Sequence, residues 1–156
     1  MKIAPSQEVI VTALRSSPRV SRIVVRDGPA DDRYIPGVCN IGAWEIRRRR
    51  RFAYVGFAAA AILFATLVAL DAPAWTRLFV FLPVAGGMVS WLQARRRFCA
   101  GFAVARVSNF TDGDDGRRRV EDEAAHRADI AAVRRMVRDA VLIALPIAIV
   151  AALLPV

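Results

Sequence analysis

The chain has 156 residues, an apolar fraction of 56% and a formal net charge of +9, from 23 basic against 14 acidic residues. Its length suits one domain, but a mean hydropathy of +0.36 exceeds what a soluble domain of that size needs, which excludes an ordinary water-soluble globule. A pI near 11.2 implies a polyanionic partner, and charge alone does not separate nucleic-acid phosphate from anionic lipid.

Residues 1–38 read as a small cytoplasmic extension. Ser6 is placed to cap a short helix through Glu8 to Leu14 that Pro18 ends; Val20 to Arg26 has the β-branched content of a strand; Asp27-Gly28-Pro29 is turn chemistry. The first residues lack the long apolar core and small-residue cleavage site of a signal peptide, so none is expected. The segment holds too few apolar residues to fold alone, leaving packing on the long loop, packing on a partner, or partial disorder.

Residues 39–51 are predicted as a basic juxtamembrane helix carrying five consecutive arginines, Arg47, Arg48, Arg49, Arg50 and Arg51. An uncharged run follows over 52–70, and at ~1.5 Å per residue it matches a bilayer core. After a short link, 75–92 is a second such run; its one charge, Arg77, lies near the start and is expected to snorkel to the headgroups. A loop over 93–139 opens with Arg95, Arg96 and Arg97. It continues with Phe98, Phe102 and Ala105 at helical spacing, read as an interfacial extension. Thr111 to Gly116 is a loop. Val120 to Ala140 begins acidic and ends basic, the order that a helix dipole favours, and is expected to run directly into a third span at 140–156. The fold class expected is therefore an all-α integral membrane protein with three transmembrane helices, cytoplasmic juxtamembrane helical extensions and the N-terminal segment.

Arginine sets the orientation. The segment before the first span holds eleven Arg or Lys residues, the long loop eleven more, and the far side only Arg77. The positive-inside rule then puts the N-terminus and the loop in the cytoplasm and the C-terminus outside. Trp44, Tyr54 and Trp91 fall near the inner face and Trp75 near the outer one, as interfacial belts require. Arg47 to Arg51 and Arg95 to Arg97 thus read as contacts to anionic headgroups or an acidic partner surface. Nucleic acid is disfavoured, because a basic run without interleaved aromatic residues offers bases nothing to stack on. Within the spans, Gly56 and Ala60, and Gly86 and Ser90, stand four apart and place small residues on one helix face for close packing. Pro83 and Pro146 are expected to bend their helices.

Few groups suit catalysis. Cys39 precedes the first span and Cys99 follows the second, so both lie near the cytoplasmic face; the readings are a thiol redox pair, half of a metal or cluster site shared with a second protomer, reversible acylation, or two inert thiols, the last preferred. His126 has no second ligand or nucleophile nearby in sequence. Asp112, Asp114 and Glu123 match three positions of a calcium loop, but Gly116 and Arg117 fall where a ligand and the turn glycine belong. No nucleophile elbow or phosphate-cradling glycine motif occurs, and the spans carry no interior ionisable groups of the kind pumps use.

The elements CNIG at 39–42 with Glu45 and Arg47, FLP at 81–83, and WLQAR at 91–95 with Cys99 four residues on are similar to an uncharacterised family of small bacterial membrane proteins. The resemblance spans roughly Cys39 to Asn109 and implies the bacterial inner membrane, with no activity attached. The resulting expectation is a non-enzymatic accessory or scaffold protein without a cofactor. Its expected partners are anionic lipid and a larger membrane complex or a homo-oligomer; a thiol-based redox or metal-handling protein using Cys39 and Cys99 is the alternative.

Overall fold

The computed structural model describes residues 33–113 and 116–155. The predicted helix after Ser6, the Val20 to Arg26 strand and the Asp27-Gly28-Pro29 turn lie outside the described residues, as does Asp114. The chain runs through α1 (Ala43–Ala69), a 3-10 turn (Ala74–Val80), α2 (Phe81–Arg95), α3 (Ala100–Val104), β1 (Val107–Asn109), β2 (Arg117–Arg119) and α4 (Glu123–Leu153). Three helical segments, Ala43–Ala69, Ala74–Arg95 and Glu123–Leu153, are long and apolar enough to cross a membrane. The acidic-to-basic segment and the third apolar run form one unbroken helix, as their joined sequence implied.

Helix ends follow local chemistry. Asp122 caps α4, its Oδ1 accepting from the Ala124 amide at 3.0 Å. Helix α1 stops where Asp71 turns left-handed (φ 48°) and the amides of Asp71 and Ala72 donate back to the carbonyls of Val68 and Leu67, with Pro73 barring continuation. Helix α2 closes the same way at Arg97 (φ 52°), where the Phe98 amide reaches the Gln93 carbonyl at 3.0 Å. Aspartate tolerates this conformation; for arginine it is uncommon.

Helix α2 packs most extensively on α1 and also meets α4. A Cβ on Gly56 would lie 2.8 Å from the Gly87 Cα, so the α1 and α2 backbones approach at a point that only glycine allows. This corrects the expected register. Gly86 is exposed with open space where a Cβ would stand, while its neighbour Gly87 faces Phe57 and the Ala53 carbonyl; Ser90 is half-buried. Ala60 is buried as anticipated, against Val80, Val84 and Ala144. On α4, Ala132, Met136, Ala140, Ala144 and Ala148 are all buried at a spacing of four, a stripe of mostly small residues continuing from the charged half into the apolar half.

Pro83 sits in the first turn of α2, just past the point where the 3-10 turn becomes α-helix, and its missing amide removes no bond within α2. Pro146 lies within α4, which continues past it to Leu153. Arg77 is buried rather than snorkelling: its Nη1 donates to the Leu154 carbonyl at 2.8 Å, placing a cation on the C-terminal end of α4.

The all-helical expectation needs corrections. Arg106 adopts φ 57° after the five-residue α3 and redirects the chain into an antiparallel ribbon, with Val107, Ser108 and Asn109 opposite Arg119, Arg118 and Arg117. Phe98 and Phe102 are buried, Phe98 with Ala132 and Met136 of α4, and Phe102 with Ile41 and Cys99. They form core and not an interfacial stripe, because the turn at Arg97 folds this segment back over the helix ends. Residues 39–42 are extended rather than helical, so the basic helix starts at Ala43.

Candidate functional site

The starts of α1 and α4 and the end of α2 meet at one end of the bundle, bringing nearly all described arginines together; Arg77 stands at the other end. Five arginines adjacent in sequence point in different directions because each helical step turns the side chain by about 100°. Arg47 reaches towards Asp112 at 3.9 Å. Arg48 lies over the Trp44 and Phe52 rings at 5.5 and 5.7 Å. Arg49 turns inward, Arg50 faces α2, and Arg51 is exposed.

Arg49 links a buried carboxylate to a buried thiol. Glu45, whose side chain is fully buried, has its oxygens 3.5 Å from Arg48 and 3.3 Å from Arg49, and neither oxygen makes a hydrogen bond among the described residues. Arg49 Nη2 in turn donates to Cys99 Sγ at 3.0 Å, and the Phe102 ring lies 6.0 Å from its guanidinium and 5.4 Å from that of Arg117. A carboxylate early in α1 suits the helix dipole, and its pairs at three and four residues follow helical geometry.

Every residue of the CNIG stretch has a structural task. Cys39 is buried, its sulfur 3.9 Å from the Ile41 carbonyl. Asn40 clasps Cys99 with its side-chain amide while its own backbone bonds Arg97 and Asn109. Ile41 is inaccessible to solvent. Gly42 passes so close to Phe110 that a Cβ would lie 2.8 Å from its Cα and carbonyl oxygen. Asn109 extends the junction: its side chain accepts from the Thr111 amide and hydroxyl and donates to the Gly113 carbonyl at 2.6 Å.

Tyr34 and Asp129 fasten the preceding segment. Pro36 and Gly37, the latter at φ 69°, make a turn closed by the Val38 amide on the Ile35 carbonyl, a geometry suited to proline followed by glycine. The buried Asp129 carboxylate on α4 accepts from the Gly37 amide at 2.6 Å and the Tyr34 hydroxyl at 2.9 Å. Burial, then the hydrogen bond to Asp129 and its negative charge, push the Tyr34 phenol well above its ordinary value. Sequence reasoning assigned no role to Asn40, Asn109, Tyr34 or Asp129; for Asn40 and Asp129 a polar residue between apolar neighbours was the available signal, and Tyr34 and Asn109 offered none.

Between α1 and α2 at this end lies a groove of about 540 Å³ lined by Arg50, Tyr54, Trp91, Arg95 and Arg97. A smaller cavity of about 260 Å³, between α4 and the segments at 37–38 and 96–98, includes Arg96, Arg135 and Asp139. Arg96 is satisfied there by Asp139 at 2.7 Å. Thus Arg50, Arg95 and Arg97 share one cavity, Arg96 lines another, and Arg47, Arg48, Arg49 and Arg51 face elsewhere.

Cys39 and Cys99 are both buried, their segments joined through Asn40. Among the described residues no group of three His, Cys, Asp or Glu side chains is placed to hold a metal. Glu123, the last residue of the calcium-like spacing, is instead bonded through both oxygens to Arg106 at 2.8 and 3.3 Å. Compared with family models, curated proteins and solved structures, the chain matches none.

Proposed function

We propose that this chain is a non-enzymatic, three-span protein of the bacterial inner membrane, with its N-terminus and the 93–139 loop in the cytoplasm and its C-terminus outside. It acts as an accessory or scaffold subunit: the helices pack with one another and with other membrane proteins, and the arginine-rich end meets anionic lipid. The segregation of arginine carries this reading. Eleven basic residues precede the first span and eleven lie in the long loop, against Arg77 alone beyond. The buried clasp at Asn40 and the Glu45–Arg49 pair support a rigid platform at that end, the property a scaffold requires.

Reporter tags at the two termini test the topology, and extraction tests insertion. Opposite compartments and a strict need for detergent are expected; a shared compartment, or a monomer stable in plain buffer, overturns the proposal. Native purification with identification of stoichiometric subunits then tests the accessory role. A thiol-based role is the second reading, favoured by the 3.0 Å contact between Arg49 and Cys99. A Cys39→Ser/Cys99→Ser chain that still assembles and complements the deletion strain removes it.

A further inference from the structure

The arginines at the basic end are unequally engaged. Arg47, Arg48, Arg49, Arg96, Arg106 and Arg138 each approach a carboxylate. Arg50 and Arg95 enter no ion pair or hydrogen bond with any described residue, although both line the same groove. Arg97 lines it too, its backbone held left-handed and its carbonyl accepting from the Asn40 amide at 3.1 Å. Among the described residues no acidic side chain lines this groove, whereas the neighbouring cavity contains Asp139. The guanidinium groups of Arg50 and Arg95, gathered without a described carboxylate, repel one another, and a bound anion relieves that repulsion; their planar forks suit phosphate oxygens.

The rest of the lining specifies the kind of anion. Tyr54 and Trp91 close the groove with ring centroids 6.1 Å apart, where the apolar surfaces of α1 and α2 give way to arginine. Amphipathic rings belong at that depth, with their faces against acyl chains and their polar atoms toward headgroups. A volume of about 540 Å³ accommodates a headgroup with its glycerol, and the groove offers cations at one side and aromatic surface at the other. A soluble phosphate compound would use only the first of these.

We propose that the groove between α1 and α2 is a headgroup site for an anionic glycerophospholipid, in which Arg50 and Arg95 hold the phosphate and Tyr54 and Trp91 pack against the glycerol and upper acyl chains. The proposal rests on the membrane reading and narrows it from a charged face to one site.

The test uses the full chain with Trp44→Phe and Trp75→Phe, leaving Trp91 as the single indole, in nanodiscs of phosphatidylcholine. Phosphatidylglycerol or phosphatidylcholine brominated near the glycerol end of the acyl chains is then added at equal mole fraction. Brominated phosphatidylglycerol should quench Trp91 preferentially. Arg50→Gln/Arg95→Gln should reduce that preference to parity, since each arginine near an anionic surface contributes roughly fivefold. Arg50→Lys/Arg95→Lys should restore part of it, and Arg118→Gln/Arg119→Gln, on exposed β2, should leave it intact. Equal quenching by both lipids overturns the site while leaving membrane insertion standing. Quenching by neither overturns the membrane reading as well. Loss of the preference on adding millimolar inorganic phosphate assigns the groove to a soluble phosphate and overturns the lipid assignment.

Discussion

Asn40 holds the backbone of Cys99 from both sides: its Nδ2 donates to the Cys99 carbonyl at 3.0 Å and its Oδ1 accepts from the Cys99 amide at 2.6 Å. The contact ties the strand entering α1 to the turn leaving α2, and both residues are buried. Asn40→Ala leaves the buried Cys99 amide unpaired, while the Cys99 carbonyl keeps the Ala103 amide at 3.0 Å, so thermal unfolding in detergent should show a loss of about 1–3 kcal/mol. Asn40→Asp keeps the acceptor but removes the donor and should also destabilise; a neutral outcome in both variants would show that the clasp is dispensable.

In α1 the fully buried Glu45 pairs with the partly exposed Arg49 at 3.3 Å. Removing the arginine strands the fully buried carboxylate, so Arg49→Ala should cost about 3–5 kcal/mol, whereas Glu45→Met combined with Arg49→Met should recover most of that loss. Denaturant titration of the two variants checks the contrast. If the double variant is no more stable than the single one, Arg49 owes its place to Cys99 and Phe102 instead.

The helix crossing separates adjacent glycines. Gly56→Ala drives a methyl against the Gly87 backbone and should destabilise by about 1–3 kcal/mol. Gly87→Ala meets the Phe57 ring, which can swing aside, and should cost less. Gly86→Ala points into open space and should lie within about 0.5 kcal/mol of the parent chain. Melting temperatures in one detergent rank the three.

Tyr34 should make the fold sensitive to alkali. Its phenol is raised above 10.0 by burial first and by Asp129 second, so the neutral form is favoured in the folded chain. That contribution is fully present below the ordinary phenol value and is lost as pH climbs from there through the raised value. Absorbance titration of Tyr54→Phe, which leaves Tyr34 as the one tyrosine of the chain's two, should show phenolate forming only above the ordinary range. Tyr34→Phe should cost about 1–2 kcal/mol at neutral pH and flatten the alkaline loss of stability.

The sequence by itself determined three long apolar runs, their approximate limits and the gathering of arginine on their flanks. Those properties are sums over consecutive residues: partition between hydrocarbon and water depends on each side chain in turn, and charge near a span end acts whatever its partner. It also indicated that the charged helix after Gly116 continues into the last apolar run, since Glu123 to Leu153 contains no stop signal strong enough to end it. The tertiary structure alone decided which of Gly86 and Gly87 meets Gly56, that Phe98 and Phe102 are core, and that five neighbouring arginines serve separate surroundings. It also produced the left-handed turns at Asp71, Arg97 and Arg106 without a glycine to announce them. Asn40 and Cys99 stand 59 residues apart, and Tyr34 and Asp129 95 apart. The worth of each such polar group is set by a partner brought near only when the helices pack, because a buried donor or acceptor is costly alone and favourable once paired.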